Sequence, residues 1–188
     1  GGERAQIDND GIINLNGYDY AASKEVGYGM SIGDGRANNN NTININRMYG
    51  YGMASTEGTL TNNGTINLTN GGYGIMGESG ESFNNKDATI TITGTPNMQN
   101  SYGMSMQDGT AKNFGQIDVT GGSVDSKTYG ISVNGGNGLN HGLINMHSDN
   151  AFGLFDEGDG EITNVAGGTI NLYGNNSVGM QTTSGKAE

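Results

Sequence analysis

A repeated pattern of apolar residues constrains this chain more than any other feature. Each copy reads Asn-x-Gly-x-Ile-x-apolar, then an aromatic or apolar residue, Gly, and Met, Ile or Leu. The first anchor is an isoleucine, found as Ile13, Ile43, Ile66, Ile90, Ile117, Ile144 and Ile170. The second anchor begins at Tyr28, Tyr51, Tyr73, Tyr102, Tyr129, Phe152 and Val178. Such a period, kept in register along the whole chain, is typical of a solenoid.

The apolar residues alternate with polar ones over short runs, which indicates β-strands. In the run Thr65-Ile66-Asn67-Leu68-Thr69 the isoleucine and the leucine face one side, and the polar residues face the other. No segment sustains the helical period of 3.6 residues for three turns. The repeating unit is therefore a coil of β-structure.

Glycine and asparagine recur where each coil must bend. A glycine is followed four residues later by an asparagine at Gly35/Asn39, Gly58/Asn62, Gly80/Asn84, Gly109/Asn113 and Gly136/Asn140. A second glycine precedes the isoleucine anchor at Gly11, Gly64, Gly115, Gly142 and Gly168. Both residue types tolerate left-handed backbone, so we predict tight corners here. Small or apolar residues between them, such as Ala37, Leu60 and Ala111, would line a third short face.

These features together predict an all-β fold, a right-handed parallel β-helix of about seven coils with three short strands each. It would span residues 1–188 as a single segment, with a rod length of about 34 Å at a strand spacing of roughly 4.8 Å. Neither end shows a capping sequence, so we expect the segment to be an excerpt of a longer protein. Outward asparagines of the first strand should form a hydrogen-bonded ladder: Asn14, Asn44, Asn67, Asn145 and Asn171.

Bulk composition alone would suggest disorder, and the charge limits the classes of partner that we expect. Gly (36) and Asn (27) supply a third of the 188 residues, and the net charge is −11. The periodicity overrides that reading, because a thin core repeated along an axis needs few apolar residues. A pI near 4.3 disfavours nucleic acid and anionic lipid as partners. No run of 18 apolar residues exists, so we expect no membrane insertion of this segment.

Two runs carry a resemblance to a known family. They are Asn-Asn-Gly-Thr-Ile-Asn-Leu-Thr-Asn-Gly-Gly-Tyr-Gly-Ile-Met, from Asn62 to Met76, and the run from Gly168 to Met180. Both resemble the passenger repeats of autotransporters, which are type V secreted proteins of Gram-negative bacteria and often large adhesins. The resemblance covers all seven coils and implies an outer-membrane β-barrel beyond Glu188 and a signal peptide before Gly1. The Gly-Asp-Ser-Gly motif of the family's serine proteases does not occur here.

The turn after the second anchor holds acidic residues in several coils. They are Asp34, Glu57, Glu78, Asp108, Asp156 and Glu157. We interpret them as a solvated acidic edge and predict no catalytic residue, no cofactor and no metal site. Two alternatives remain open at this point. Stacked carboxylates about 5 Å apart could bind Ca²⁺, with Asp34, Glu57, Asp108, Asp156 and Glu157 as ligands. Carboxylates facing a groove could instead hydrolyse a glycosidic bond.

Recognition is more naturally placed in the insertions between the two anchors. The separation from the isoleucine anchor to the Met, Ile or Leu that ends the second anchor varies from 9 to 17 residues, with insertions at 17–26, 94–100 and 121–127. Loops held by a rigid scaffold commonly carry binding residues, and Tyr18, Tyr20 and Lys24 are the candidates in the first insertion. The repeated aromatic residues are interpreted as packing, and His141 and His147 as surface residues.

Three functions compete. The leading hypothesis is a non-enzymatic one: a rigid stalk at the bacterial cell surface or outer membrane, or secreted, which displays loops to a protein or glycan of a host or neighbouring cell. The second is a polysaccharide lyase or hydrolase built on a β-helix. It is disfavoured because the eight Lys and Arg residues do not recur at a fixed coil position. The third is a phage tailspike segment.

Overall fold

The computed structural model of the protein describes residues 4–17, 26–94, 100–121 and 126–188. In these ranges it contains 22 strands and no helix, arranged in three parallel sheets. Sheet A consists of β1 (Ala5–Asn9), β4 (Gly35–Asn39), β7 (Thr59–Asn62), β10 (Glu81–Asn84), β13 (Thr110–Asn113), β16 (Asn137–Asn140), β19 (Glu161–Asn164) and β22 (Lys186–Ala187). Sheet B consists of β2 (Ile12–Asn16), β5 (Thr42–Asn46), β8 (Thr65–Thr69), β11 (Thr89–Thr93), β14 (Gln116–Thr120), β17 (Leu143–Met146) and β20 (Thr169–Leu172). Sheet C consists of β3 (Gly27–Ile32), β6 (Gly50–Ser55), β9 (Gly72–Gly77), β12 (Ser101–Met106), β15 (Thr128–Val133), β18 (Ala151–Asp156) and β21 (Val178–Thr182).

The chain visits the three sheets in a fixed order, so each strand pairs with the strand three places further along the sequence. This is the topology of a parallel β-solenoid with three strands per turn, and it confirms the predicted fold class. The repeat sets the register: Ile43 pairs with Ile66, Ile66 with Ile90, and Ile90 with Ile117. Each of these isoleucines is fully buried. Equivalent residues of the sequence repeat therefore stack along one axis.

Sheet A forms the third, short face, as predicted from its small residues. Ala37, Leu60 and Ala111 are fully buried there. Where the core is irregular, a long side chain of one coil reaches a small residue of the neighbouring coil. Met106 of sheet C, for example, reaches Ser82 of sheet A, whose hydroxyl donates a hydrogen bond of 3.1 Å to the methionine sulfur. A flexible thioether suits such a gap.

An uninterrupted ladder of asparagines ends the strands of sheet A, and all of its members are buried except Asn164, which is half-buried. It runs through Asn9, Asn39, Asn62, Asn84, Asn113, Asn140 and Asn164. Each amide nitrogen donates to the amide oxygen of the next coil over 2.7 to 2.9 Å, as from Asn84 to Asn113. It also donates to a backbone carbonyl beyond the corner, which for Asn84 is that of Gln116 at 3.2 Å. The ladder thus satisfies buried polar groups and locks the coils in register.

This ladder corrects the reason given for the corner residues. The asparagines were expected to adopt left-handed backbone, but among the described residues none of the ladder asparagines has a positive φ. Gly35 and Gly80 do have one, at 130° and 92°, as expected for glycine. Gly115 and Gly142 have none. A Cβ on either would overlap a backbone carbonyl oxygen of the preceding coil, so glycine is required there by close approach of two backbones.

The outward ladder of sheet B is confirmed in two stretches. Asn44 donates to Asn14 over 2.8 Å and Asn67 donates to Asn44 over 2.9 Å. Asn171 donates to Asn145 over 2.9 Å in the later coils. Between the stretches the same position is held by a threonine and then an aspartate, so the amide chain is broken.

Candidate functional site

A column of aromatic rings runs along sheet C beside the apolar core. It consists of Tyr28, Tyr51, Tyr73, Tyr102, Tyr129 and Phe152. Neighbouring ring centroids are 4.6 to 5.3 Å apart, and the rings of the middle coils are nearly parallel. The spacing is that of paired strands, so the column follows directly from the register. The interpretation of these aromatics as packing is confirmed, although they pack on each other and not within the core.

Burial inside the column changes the acidity of its phenols. Burial is the main cause that raises the pKa of Tyr129 to about 12. It also raises the pKa of Tyr73, with a further contribution from the neighbouring tyrosines. The pKa of Tyr102 rises for the same reason, because burial outweighs its hydrogen bond with Asn100. The rings in the middle of the column therefore stay neutral at physiological pH.

The acidic turns do not align into one row. The backbone amide of Glu57 donates to Gly33, which sets Glu57 beside Asp34. Ser79 occupies the next place, followed by Asp108, so a hydroxyl separates the two carboxylate positions. Among the residues that the structure describes, no cluster of three or more acidic or histidine side chains could hold a metal ion.

Asp156 and Glu157 lie in different environments. The Asp156 side chain is fully buried at a core position of sheet C, where it follows Val133 and precedes Thr182. Its carboxylate accepts hydrogen bonds from the Thr182 hydroxyl at 2.8 Å and from the Gly158 amide at 3.1 Å. Glu157 is exposed on the turn. The assignment of Asp156 to an acidic surface edge is therefore wrong, because its oxygens are used inside the fold.

A cleft lies at the corner between sheets A and B, and we call it the corner cleft. Two residues separate the ladder asparagine from the following strand in most coils, but four do so after Asn84 and after Asn164. Each longer connection is a tight turn, closed by a backbone hydrogen bond from Ala88 to Asn85 in one and from Gly168 to Val165 in the other. These two turns bound a cleft of about 460 Å³.

The side chains of the corner cleft are mixed in character. Lys86 and Asp87 stand at one end, and Phe114, Gln116 and Leu143 lie along it. The Phe114 ring is 39% exposed and stacks on the His141 ring with centroids 4.6 Å apart. The sequence interpretation missed this site. The signal was present, since the distance from the Met, Ile or Leu that ends the second anchor to the next isoleucine is 13 residues in most coils but 15 and 16 in these two.

The histidines lie at the surface, as predicted, and each stacks on an aromatic ring. His147 is exposed and lies 4.4 Å from the Tyr173 ring, centroid to centroid. His141 is half-buried under Phe114. The candidate contact residues Tyr18, Tyr20 and Lys24 lie outside the described residues, and their assignment stays a prediction.

In the described ranges, no helix is long and apolar enough to cross a membrane. No known protein family, no curated protein and no solved structure matches this chain.

Proposed function

We propose that this chain is a rigid, adhesive segment of a bacterial cell-surface protein of the autotransporter passenger type. The observation that carries the proposal is the buried asparagine ladder, which joins every coil from Asn9 to Asn164 without a gap. Each coil contacts only its neighbours, so stiffness depends on the links between neighbouring coils. A continuous ladder provides the same link at every step.

The dimensions fit a spacer that holds binding surfaces away from a cell. Sheet A has eight strands, and the seven spacings between them at about 4.8 Å give a rod of roughly 34 Å. The proposed places of contact are the sequence insertions at 17–26, 94–100 and 121–127, together with the corner cleft. Rigid elements that position variable loops are a common arrangement for recognition.

The net charge of the chain limits the classes of partner that we propose for it. A net charge of −11 repels nucleic acid and strongly anionic polymers. We therefore propose as partner a protein or an uncharged glycan on a host cell or a neighbouring bacterium. In the proposed setting an outer-membrane β-barrel of the same polypeptide would anchor the rod. The place of action would be the cell surface or the extracellular medium.

The test is surface display followed by a binding assay. The chain is expressed between a secretion signal and an autotransporter barrel in a Gram-negative host, with the barrel alone as control. We expect antibody labelling of the rod on intact cells and adhesion to cultured epithelial cells above the control. Replacement of Tyr18, Tyr20 and Lys24 by alanine should lower adhesion without lowering display. Retention of the chain in the periplasm, or adhesion equal to that of the barrel alone, would refute the proposal.

A further inference from the structure

The corner cleft is an addition to the repeat and not a consequence of it. The turns at 85–88 and 165–168 are each four residues long, two more than the two-residue connection of the other coils. Asp87 and Gly167 have positive φ at the same place in the two turns, at 68° and 95°. The turns are three coils apart, about 14 Å at the usual strand spacing. They therefore close both ends of the furrow between them.

Glycine keeps the floor of the furrow free of side chains. Gly115 and Gly142 occupy the floor, and a Cβ on either would overlap backbone of the coil before it. Phe114 forms one side, and Gln116 and Leu143 form the other. The furrow is thus a bounded cleft with a bare floor, of a volume usual for small-ligand sites.

The residue directly after the ladder asparagine, which we call the corner position, changes its chemistry where the cleft begins. In earlier coils this position forms an amide ladder, in which Asn63 donates to Asn40 over 2.8 Å and Asn85 donates to Asn63 over 2.6 Å. The next two coils carry Phe114 and His141, stacked on each other. One face of Phe114 is covered by the imidazole, and the ring is still 39% exposed. An aromatic surface replaces hydrogen-bonding groups at this place alone among the described coils.

The backbone of the cleft leaves no place for an added peptide strand. The Gln116 amide donates to Ala88 over 2.9 Å, and the Leu143 amide donates to Gly115 over 2.9 Å. Peptides that bind by strand addition need unpaired backbone at a sheet edge. The polar and aromatic groups that line the cleft are the Phe114 ring, the Gln116 side-chain amide, threonine hydroxyls at positions 89 and 169, and the ends of Lys86 and Asp87. The Gln116 amide nitrogen already donates to Asp118 over 2.6 Å, so Gln116 would meet a ligand hydroxyl as an acceptor through its amide oxygen. These groups suit a ligand rich in hydroxyls with apolar C–H faces, because the face of an aromatic ring is negative and attracts such C–H groups.

We infer that the corner cleft binds a short, uncharged oligosaccharide, with one sugar ring against Phe114 and its hydroxyls on Gln116 and the Lys86–Asp87 turn. This inference rests on the proposed adhesive function and gives it a site and a ligand class. The net charge of −11 selects against sialylated and sulfated sugars. Asp87 is the one carboxylate among the lining residues described, whereas glycoside hydrolysis uses a pair, so the cleft is assigned to binding.

The test is a titration of the folded chain against defined sugars, observed by saturation-transfer NMR and calorimetry. The probes are maltotriose, cellotriose, lacto-N-tetraose and triacetylchitotriose, with sialyllactose as the anionic comparison and a pool of short peptides as the alternative ligand class. We expect saturable binding of at least one neutral sugar and at least tenfold weaker binding of sialyllactose.

Two variants locate the site. Phe114→Ala should weaken the binding about tenfold, as expected for loss of one stacking contact. Tyr173→Ala is the matched control, since Tyr173 is an exposed ring stacked on a histidine outside the cleft, and it should leave the affinity unchanged. Deletion of Lys86 and Asp87 together with Ala88→Gly rebuilds the Asn-Asn-Gly-Thr corner found at Asn62–Thr65. It should open one end of the cleft and also weaken binding, with an unchanged circular dichroism spectrum.

The outcomes separate this inference from the proposed function. Sugar affinity kept within twofold in Phe114→Ala, or binding of peptides but no sugar, overturns the cleft assignment. If the wild type still adheres to cells in those cases, the adhesive function stands without this site. If the displayed wild-type rod adheres to no cell, the proposed function fails, whatever the titration gives.

Discussion

Replacement of a single amide in the buried ladder should be far more costly than the same replacement at the surface. In Asn84→Asp an oxygen takes the place of the amide nitrogen, which donates to the Asn113 side chain at 2.8 Å and to the Gln116 carbonyl at 3.2 Å. The new oxygen then faces two acceptors at a fully buried site. Asn63→Asp is the matched control, because Asn63 makes equivalent ladder bonds at an exposed position.

The magnitude follows from what each partner loses. Two hydrogen bonds with a net value of about 1 kcal/mol each disappear, and the introduced carboxylate oxygen faces two acceptor oxygens without a partner, which costs about 1 kcal/mol or more for each. We therefore expect Asn84→Asp to lower the free energy of unfolding by roughly 4 kcal/mol at neutral pH. At the exposed site water replaces the missing partners, so Asn63→Asp should cost less than about 1 kcal/mol.

The pH dependence provides an independent check. Burial beside two carbonyl oxygens raises the pKa of the introduced carboxyl in the folded chain, since the protonated form can donate one bond. The loss of stability is then greatest above the folded pKa, shrinks as the pH falls through it, and reaches its smallest value near the unfolded pKa of about 3.9, where one of the two donated bonds is still missing. Urea unfolding at several pH values, followed by circular dichroism, measures both quantities. Equal losses in the two variants, or a loss in Asn84→Asp that grows towards acid pH, would refute the reasoning.

Three further predictions concern a glycine, a tyrosine and the acidic turns. A Cβ at Gly103 would lie 2.5 Å from a neighbouring backbone oxygen and an isoleucine methyl, so Gly103→Ala should lower the free energy of unfolding in urea by about 3 kcal/mol. At Gly33 the nearest atom would be 3.9 Å from the added Cβ, so Gly33→Ala should lower it by less than about 0.5 kcal/mol. Similar losses in the two variants would contradict the packing argument. The pKa of Tyr129 is about 12 against the ordinary 10, so its contribution to stability is complete below pH 10 and is lost as the pH rises towards 12. In an alkaline titration the phenolate absorbance that separates wild type from Tyr129→Phe should appear near pH 12, and its appearance near pH 10 would show an unburied ring. Because a serine separates the aligned carboxylates, millimolar Ca²⁺ should leave the midpoint of thermal unfolding unchanged, whereas a rise that is lost in Glu57→Gln would establish a calcium site.

The sequence predicted the architecture because the core positions repeat with the period of the coil. Ile43 and Ile66 are at equivalent positions of the repeat, and strand pairing sets them side by side in the rod. A one-residue slip would turn every inward side chain outward, so the pattern allows one register only. For this reason the three faces, the isoleucine column and much of the outward amide ladder could be read from the residues.

The roles of the corner residues could not be read in the same way. Asn84 looked like a turn residue because asparagine serves two purposes, left-handed backbone and amide hydrogen bonding, and the sequence does not distinguish them. Asp156 looked like a member of an acidic edge because its distance from the anchor agrees with a turn. Its hydrogen-bond partner inside the fold is Thr182, which is 26 residues later in the next coil. The roles of Asn84 and Asp156 are set by contacts between neighbouring coils, and the sequence of a single coil does not contain those contacts.

The corner position also indicates where a solenoid can acquire binding without loss of stability. Asn63 and Phe114 lie at the same backbone position in different coils, outside the core and beyond the buried ladder, so the fold accepts either side chain there. The turn at 85–88 is accepted for the same reason, since the asparagine before it and the strand after it keep their partners. Core positions lack this freedom, because a change in one coil alters the packing of both neighbours. A site that depends on this outer layer can therefore differ in ligand from coil to coil while the rod stays the same. For this reason we expect mutations in the corner cleft to change ligand binding without unfolding the chain.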